Sequence, residues 1–338
     1  MNTTGKIIII GGHGKVGQYI TRELKQYNLI LVGRSRDKIK NFLDNEKIQA
    51  EICIMDIDNL DFTKLNGVRW VIVCVDQENT KLVEFCDSHD IDYMDVTANS
   101  EYIEKIQQLK LRGKSKILLG IGLAPGLTNL LAEKFVKLYP SAEKISIEII
   151  LGLGEKHGDA AIQWTLDNFL KSYSHLALGL VRPFTQKSSI DTEQAGEKNL
   201  KTYNFNFVDQ HMLNLKYTDK IFTTYLGFDQ PFATGLIYGA NKLKLLGLLK
   251  YKPFYRMAQS ALKSPKFGTD IFMVAVKSGN KILYARGHDE GRFTGLMAAK
   301  AARQMETLNL QNGLLDISDV IDIEEVKNNE SFGLTLSL

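Results

Sequence analysis

The sequence predicts an α/β fold, an N-terminal doubly wound parallel sheet followed by a second domain of α+β character. Three observations predict it. Ile7–Ile10 form a β-branched run that leads straight into a glycine-rich loop and then a helical pattern. Strand-like apolar runs alternate with helix-patterned segments through the first 130 residues, as parallel strand–helix units do. Beyond about residue 140 the periodicity changes to alternating strands, a hairpin turn and separate helices.

Composition sets the bounds. A chain of 338 residues has room for two domains. Hydrophobic residues at 44 % and charged residues at 24 % are ordinary for a globular chain with a proper core. The formal net charge of +3 gives no ground for a nucleic-acid partner. No apolar run approaches the roughly 18 residues of a membrane span. A strand-like run from Lys6 leads directly to the glycine loop, so no signal peptide is expected. Cys53, Cys74 and Cys86 form no CxxC pair, and two of them sit in apolar strand-like runs. The expectation is a reduced, cytoplasmic protein.

The first strand and loop, "KIIIIGGHGKVGQYITREL", place Gly12, Gly14 and Gly17 in a G-x-G-x-x-G pattern, with His13, Lys15 and Val16 between them. One glycine permits a tight turn, one lets backbone approach a pyrophosphate, and one lets helix pack on strand. Val16, Ile20, Leu24 and Tyr27 then recur at helical spacing, so the phosphates of a dinucleotide would rest on a helix N-terminus. The bland alternative is a bare strand–turn–helix.

The next strand, "LILVGRSRDK", bears on which dinucleotide. An NAD site places an acid near the end of this strand for the ribose 2′-hydroxyl. Here that place is Gly33, followed by Arg34, Ser35 and Arg36, whose guanidiniums and hydroxyl suit a 2′-phosphate. NADP(H) is expected over NAD(H); a solvated basic turn with Asp37 as a shifted ribose ligand is the alternative.

Further strands are read in "AEICIMDID", "WVIVCVD", "IDYMDVTA" and "KILLGIG", with helices in "NTKLVEFCDSHD" and "SEYIEKIQQLKLRGK". Ligands of such sheets bind beyond the carboxyl ends of the strands. That rule nominates Asp56, Val75, Asp76, Asp95, Thr97 and the turn from Gly122 to Asn129, which includes Pro125 and Gly126. Acids at strand ends also serve as turn formers or caps, and for Asp56 and Asp76 that reading stands equally.

Taken together, "GGHGKVGQYI", "VIVCVDQENTKLVEFCDSHDIDYMDVTA" and "GIGLAPGLTNLLA" resemble the saccharopine dehydrogenase family, whose relatives include lysine dehydrogenases and carboxynorspermidine and homospermidine synthases. The likeness runs over about residues 6 to 132 and is architectural afterwards. It implies a Rossmann domain over 1–130, a substrate and dimerisation domain over 131–290, and a segment 291–338 that returns to the first domain. By the same resemblance the Pro-Gly turn lines the nicotinamide cleft: Pro125 fixes a helix start, Gly126 admits close backbone, and Thr128 and Asn129 face a ligand. The implied reaction is hydride transfer between NADP(H) and a C–N bond of an anionic, amino-acid or polyamine-like substrate. Asp95 and His157, in "GEKHGD", are the candidate proton shuttles, and Arg286 is the candidate cation, with Arg182 in reserve. A homodimer is expected on the resemblance alone.

The chain also departs from the family. Saccharopine reductases resemble "GLDPG" at the turn, where this chain has Ala124. Their cysteine before the turn is missing from "ILLGIG", and their serine–tyrosine pair is replaced by "DVTANSEY". The cofactor half carries over; the substrate does not. Two other readings stay open, a non-catalytic NADP(H)-binding sensor or scaffold and a carbonyl reductase using Tyr238 and Lys242.

In the second half, "KISIEIILG", "TYNFNFVD", "KIFTTYLGF", "TDIFMVAVKSG" and "NKILYARGH" read as strands, the last two joined by a hairpin at Ser278–Asn280. "GDAAIQWTLDNFLKSYSHLALGL" reads as one long helix with Trp164 buried, and "GRFTGLMAAKAARQMETL" as another lined with small residues. Residues 230–269 hold seven basic side chains, Lys242 to Lys266, and no acid, interleaved with leucines. Three readings fit: a solvated basic face, a rim attracting an anionic substrate, or an amphipathic membrane-surface helix. A membrane partner is the least expected of these. No HExxH, zinc-spaced Cys/His cluster, P-loop or GxSxG occurs.

Overall fold

The computed structural model describes residues 5–154, 158–192, 197–263 and 268–337. The chain divides into two compact units, Met1–Gly126 with Gly291–Asp322, and Leu127–Glu290 with Ile323–Leu338.

The first unit opens with β1 (Lys6–Ile10), α1 (Lys15–Glu23), β2 (Asn28–Gly33), α2 (Arg36–Glu46) and β3 (Glu51–Ile54). It continues with β4 (Val68–Val73), α3 (Lys81–Ser88), β5 (Asp92–Asp95), α4 (Ser100–Gln107) and β6 (Lys116–Leu118). Strands pair in parallel in the order β3-β2-β1-β4-β5-β6, the arrangement of a Rossmann domain. Ile7–Ile10 lie in the centre and are buried on both faces, which is why β1 reads as a continuous apolar run rather than an alternating one. Between β3 and β4 two 3₁₀ turns, Ile57–Asn59 and Phe62–Leu65, stand where a crossover helix usually runs. Their N-caps are Asp56 and Asp61, each accepting from a backbone N–H two residues on.

The second unit holds α5 (Thr128–Leu138), β7 (Lys144–Leu151), α6 (Asp159–Leu170), β8 (Tyr173–His175), β9 (Gly179–Val181), β10 (Lys187–Thr192) and β11 (Glu197–Asn204). It goes on through α7 (Val208–Lys216), β12 (Ile221–Phe228), α8 (Pro231–Lys242), α9 (Lys252–Lys263), β13 (Ile271–Ser278) and β14 (Lys281–His288). The chain then returns to the first unit with α10 (Glu290–Thr307) and β15 (Gly313–Leu315), which extends that sheet beside β6. Its last strand, β16 (Thr335–Ser337), pairs antiparallel with β14. The tail past Asp322 therefore lies in the second unit and not in the first, where the resemblance put all of 291–338. The second sheet runs β10-β11-β12-β7-β13-β14-β16 and is mixed, with β7 and β12 parallel and its other pairs antiparallel.

Two elements differ from the sequence reading. The long helix expected from residue 158 ends at Leu170, and the β8–β9 hairpin follows; Trp164 is only half-buried, against Phe205 and Phe207. The strand read through "TYNFNFVD" ends at Asn204 and gives way to α7, whose buried face includes Asp209, Gln210 and Asn214. Polar residues on the inner face blur the apolar period that reveals a helix.

Glu148, midway along β7, is completely buried. It accepts from the hydroxyls of Ser188 and Thr202, and Lys277 on β13 stands 3.1 Å from it. Removing the cation would leave a buried charge only partly compensated. Lys277→Met should therefore lower the unfolding free energy by about 3 kcal/mol. Urea denaturation checks this, and adding Glu148→Gln should restore part of the loss.

Candidate functional site

The sheet order of the first unit reverses at β1, between β2 and β4, and the glycine loop leaves β1 at this switch point. Gly11 takes φ +79° and donates to the carbonyl of Val32, while the Gly14 N–H turns back to the Gly11 carbonyl at 2.8 Å. Gly11 was not among the residues nominated from sequence, although its doubling with Gly12 was the available signal. At Gly17 a Cβ would collide with the Gly11 carbonyl oxygen and stand 2.7 Å from the Gly12 Cα. Helix α1 is thus seated backbone on backbone against the end of β1. Gly14 caps α1 without a side-chain bond, so the first-turn N–H groups face outward as an anion cradle.

Helix α10 fixes this loop from outside. A Cβ on Gly295 would lie 2.5 Å from Cβ of Tyr19 and 3.1 Å from the Val16 carbonyl, and one on Gly291 would lie 2.8 Å from Cε of Lys15. The small residues read along this segment are what let it lie close to α1. Thr294, one turn along, accepts from the Leu123 N–H at 3.3 Å and so also pins the Pro-Gly turn.

At the end of β2 the acid of an NAD site is absent for a visible reason. The His13 ring occupies its space, with Cε1 2.7 Å from where a Cβ on Gly33 would stand. The Nδ1 of His13 is buried with no hydrogen-bond partner among the described residues. Burial and, second to it, the nearby Lys38 ammonium hold its pKa below the ordinary value. Ser35 caps α2 by accepting from the Lys38 N–H, and Arg36 begins the helix. Arg34 and Arg36 are exposed. Cationic groups therefore gather where an acid would otherwise sit.

The strand ends carry a buried polar network. Asp95, 1 % exposed, accepts from Tyr93 Oη at 2.5 Å, Gln77 Nε2 at 2.7 Å and the Thr97 N–H at 2.8 Å. Enclosure raises its pKa to about 7, against the opposing pull of those hydrogen bonds. Tyr93 also meets Tyr102, and Thr97 donates to Asp76 at 3.5 Å. Val75 is half-buried, and its side chain would block any Cβ on Gly11. Gln77, Tyr93 and Tyr102 were missed by sequence reasoning, because only the fold brings them to one carboxyl. A shallow cleft lined by Ile57, Asn59, Gln77 and Lys81 opens beside Asp56.

The turn at 120–126 contains Gly120, Gly122 and Gly126 at φ +73°, +147° and +132°, with a cis bond between Ala124 and Pro125. Pro125 lies in extended backbone three residues before α5, so it does not fix a helix start as expected. A Cβ on Gly126 would press on the Gly120 carbonyl at 3.3 Å, and one on Gly122 would press on Thr294. Thr128 and Asn129 are buried, Thr128 beside the enclosed carboxyl of Asp209.

The remaining candidates are scattered. Arg286 is half-buried in β14, opposite Met273 and Thr335, and Arg182 is exposed after β9. His157 lies outside the described residues. Tyr238 stacks on Tyr203 at 4.4 Å between ring centroids, a packing role in the second unit. No cluster of metal-ligating side chains occurs among the described residues.

Residues 7–117 match the family model of the saccharopine dehydrogenase NADP binding domain. The matched residues lie in the first unit, and the match agrees with the resemblance read from the sequence. Among solved structures, apo saccharopine dehydrogenase (L-Glu forming) from Saccharomyces cerevisiae matches with a TM-score of 0.64 at 13 % identity, over 98 % of this chain and 99 % of that one. The shared fold is two-domain α/β. Aldose-aldose oxidoreductase from Caulobacter crescentus matches at 10 % identity over 98 % of both chains, with a TM-score of 0.40. A Gfo/Idh/MocA family oxidoreductase from Vibrio cholerae matches at 10 % identity over 84 % of this chain and 76 % of that one, with a TM-score of 0.35. No curated protein sequence matches.

Two outcomes follow from this geometry. Gly33→Asp should cost about 1–3 kcal/mol by overpacking against His13, and His13→Ala should relieve most of it in a double-mutant cycle of unfolding free energies. Additive costs would show that the ring does not bar an acid there. For Asp95, the folded pKa near 7 lies above the ordinary carboxyl value. Its contribution to stability is then full below about pH 4 and is lost as pH rises through 7. Asp95→Asn should flatten the fall in stability between about pH 4 and pH 7; parallel urea curves for parent and variant would refute the assignment.

Proposed function

We propose that this chain is an NADP(H)-dependent oxidoreductase of saccharopine dehydrogenase type, acting on a C–N bond of an anionic amino-acid or polyamine-like substrate. The observation that carries the cofactor half is the cradle at Gly12, Gly14 and Gly17, where added Cβ atoms would meet backbone or core. That fit is independent of the family match, which covers the same unit.

Bound there, NADP(H) would supply or accept the hydride. The chain's own part is binding and placement. The Gly12–Gly17 loop, with Lys15 and Val16 in the first turn of α1, takes the pyrophosphate. Arg34, Ser35 and Arg36 take the 2′-phosphate, the hydroxyl donating while it caps α2. Val75, Asp76, Thr97 and the Gly122–Gly126 turn line the strand ends where the reactive ring of such a cofactor rests. Asp56 and the adjoining cleft are left for the nucleobase end. Asp95 is too enclosed to reach a substrate and is assigned here as a positioning residue that holds Thr97 and Gln77. A substrate carboxylate calls for a cation, and Arg286 is the residue offered for it.

The rival reading is a protein that binds the cofactor without turnover. Fluorescence titration with NADPH and NADH, then oxidation of bound NADPH with a panel of keto acids plus amines, separates the two. Selective binding with turnover by one pair is the expected result, and binding without turnover on any pair would favour a sensor. Arg34→Ala with Arg36→Ala should weaken NADPH binding by at least about tenfold and leave NADH binding nearly unchanged. Equal loss for both cofactors would remove the 2′-phosphate assignment.

A further inference from the structure

The basic stretch of the second unit has a face that neither cofactor binding nor the core uses. Along α8 and at its C-cap, Phe232, Leu236 and Leu243 are exposed at helical spacing, with Phe232 80 % exposed and Leu243 70 %. Helix α9 has no buried residue at all, and its Phe254 and Met257 are exposed, as is Tyr251 just before it. Cations are interleaved with these side chains. Lys242, Lys244, Lys250, Lys252 and Arg256 are exposed, and none makes a side-chain hydrogen bond or ion pair with a described residue. The acids that flank the stretch in sequence are engaged, Asp229 by Thr269 and Asp270 by His288, and Asp167 accepts from Tyr255 of α9.

Of the readings the sequence allowed, a solvated basic face needs no outward aromatic or leucine side chains. A rim for a small anion does not explain them either. A symmetric contact between two copies would bury the apolar groups but press five uncompensated cations of one copy against the same five of the other. Apolar side chains flanked by unpaired lysines, with no acid from residue 230 to 269, match one partner class by charge and by apolarity.

We propose that α8, the turn after it and α9 form a docking face for an anionic phospholipid bilayer, with the chain lying on the membrane surface. Phe232, Leu236, Leu243, Phe254 and Met257 enter the acyl boundary while the lysines meet lipid phosphates. No described helix is long and apolar enough to cross a membrane, so the attachment is peripheral.

The test is sedimentation of the full chain with phosphatidylcholine vesicles, with and without phosphatidylglycerol, at low and high salt. Binding only to the phosphatidylglycerol vesicles, weakened as salt screens the cations, is the expected result. Phe232→Asp with Leu236→Asp, and separately Lys242→Glu, Lys244→Glu and Lys250→Glu together, should each reduce it at least tenfold while NADPH binding is kept. Absence of binding to either vesicle overturns the proposal, as does binding that both variants retain. A dimer in solution that Phe232→Asp with Leu236→Asp splits, in a chain that ignores vesicles, assigns the face to a second copy instead.

Discussion

The N-terminal unit depends on one contact, the seating of Gly17 on the backbone of Gly11 and Gly12. No side chain larger than hydrogen fits there, so α1 starts at a fixed height above the end of β1. That height directs the first-turn N–H groups of α1 to the switch point of the sheet. Helix α10 then repeats the device from the other side, where Gly291 and Gly295 bring its backbone onto Lys15, Val16 and Tyr19. Two close backbone approaches thus hold the loop rigidly before any ligand arrives, which spares a bound cofactor the entropic cost of ordering it.

The end of β2 shows a different kind of exclusion. Gly33 is not merely the absence of an acid; the His13 ring has taken the room an acid would need. His13 belongs to the glycine loop and Gly33 to the next strand, so the two positions are coupled across the sheet. Their 20-residue separation hides that coupling from a reading of either segment alone.

Much of the first unit was legible because parallel strands buried on both faces leave continuous apolar runs, as at Ile7–Ile10. The second unit was harder for stated reasons. Helix α7 buries Asp209, Gln210 and Asn214, which erases its period, and the β8–β9 hairpin continues an apolar pattern that a helix had begun. At the site, the glycines announced themselves by spacing. The Asp95 network did not, since Gln77, Tyr93 and Tyr102 meet only once β4, β5 and α4 are folded. Pro125 misled because Pro-Gly before a helical pattern normally marks the first turn, whereas here three positive-φ glycines turn the chain before the helix begins.

The chain passes between its two units at Gly126, again at Glu290 and a third time at Asp322. Each sheet therefore receives a late strand, β15 in one and β16 in the other. On a ribosome, the glycine loop emerges before the intervening unit, and its outer support in α10 comes only after that unit has been made. The unit that holds the loop is thus begun before its neighbour and finished after it, so a nascent chain cut before α10 exposes the flank of α1 that Gly291 and Gly295 would have covered.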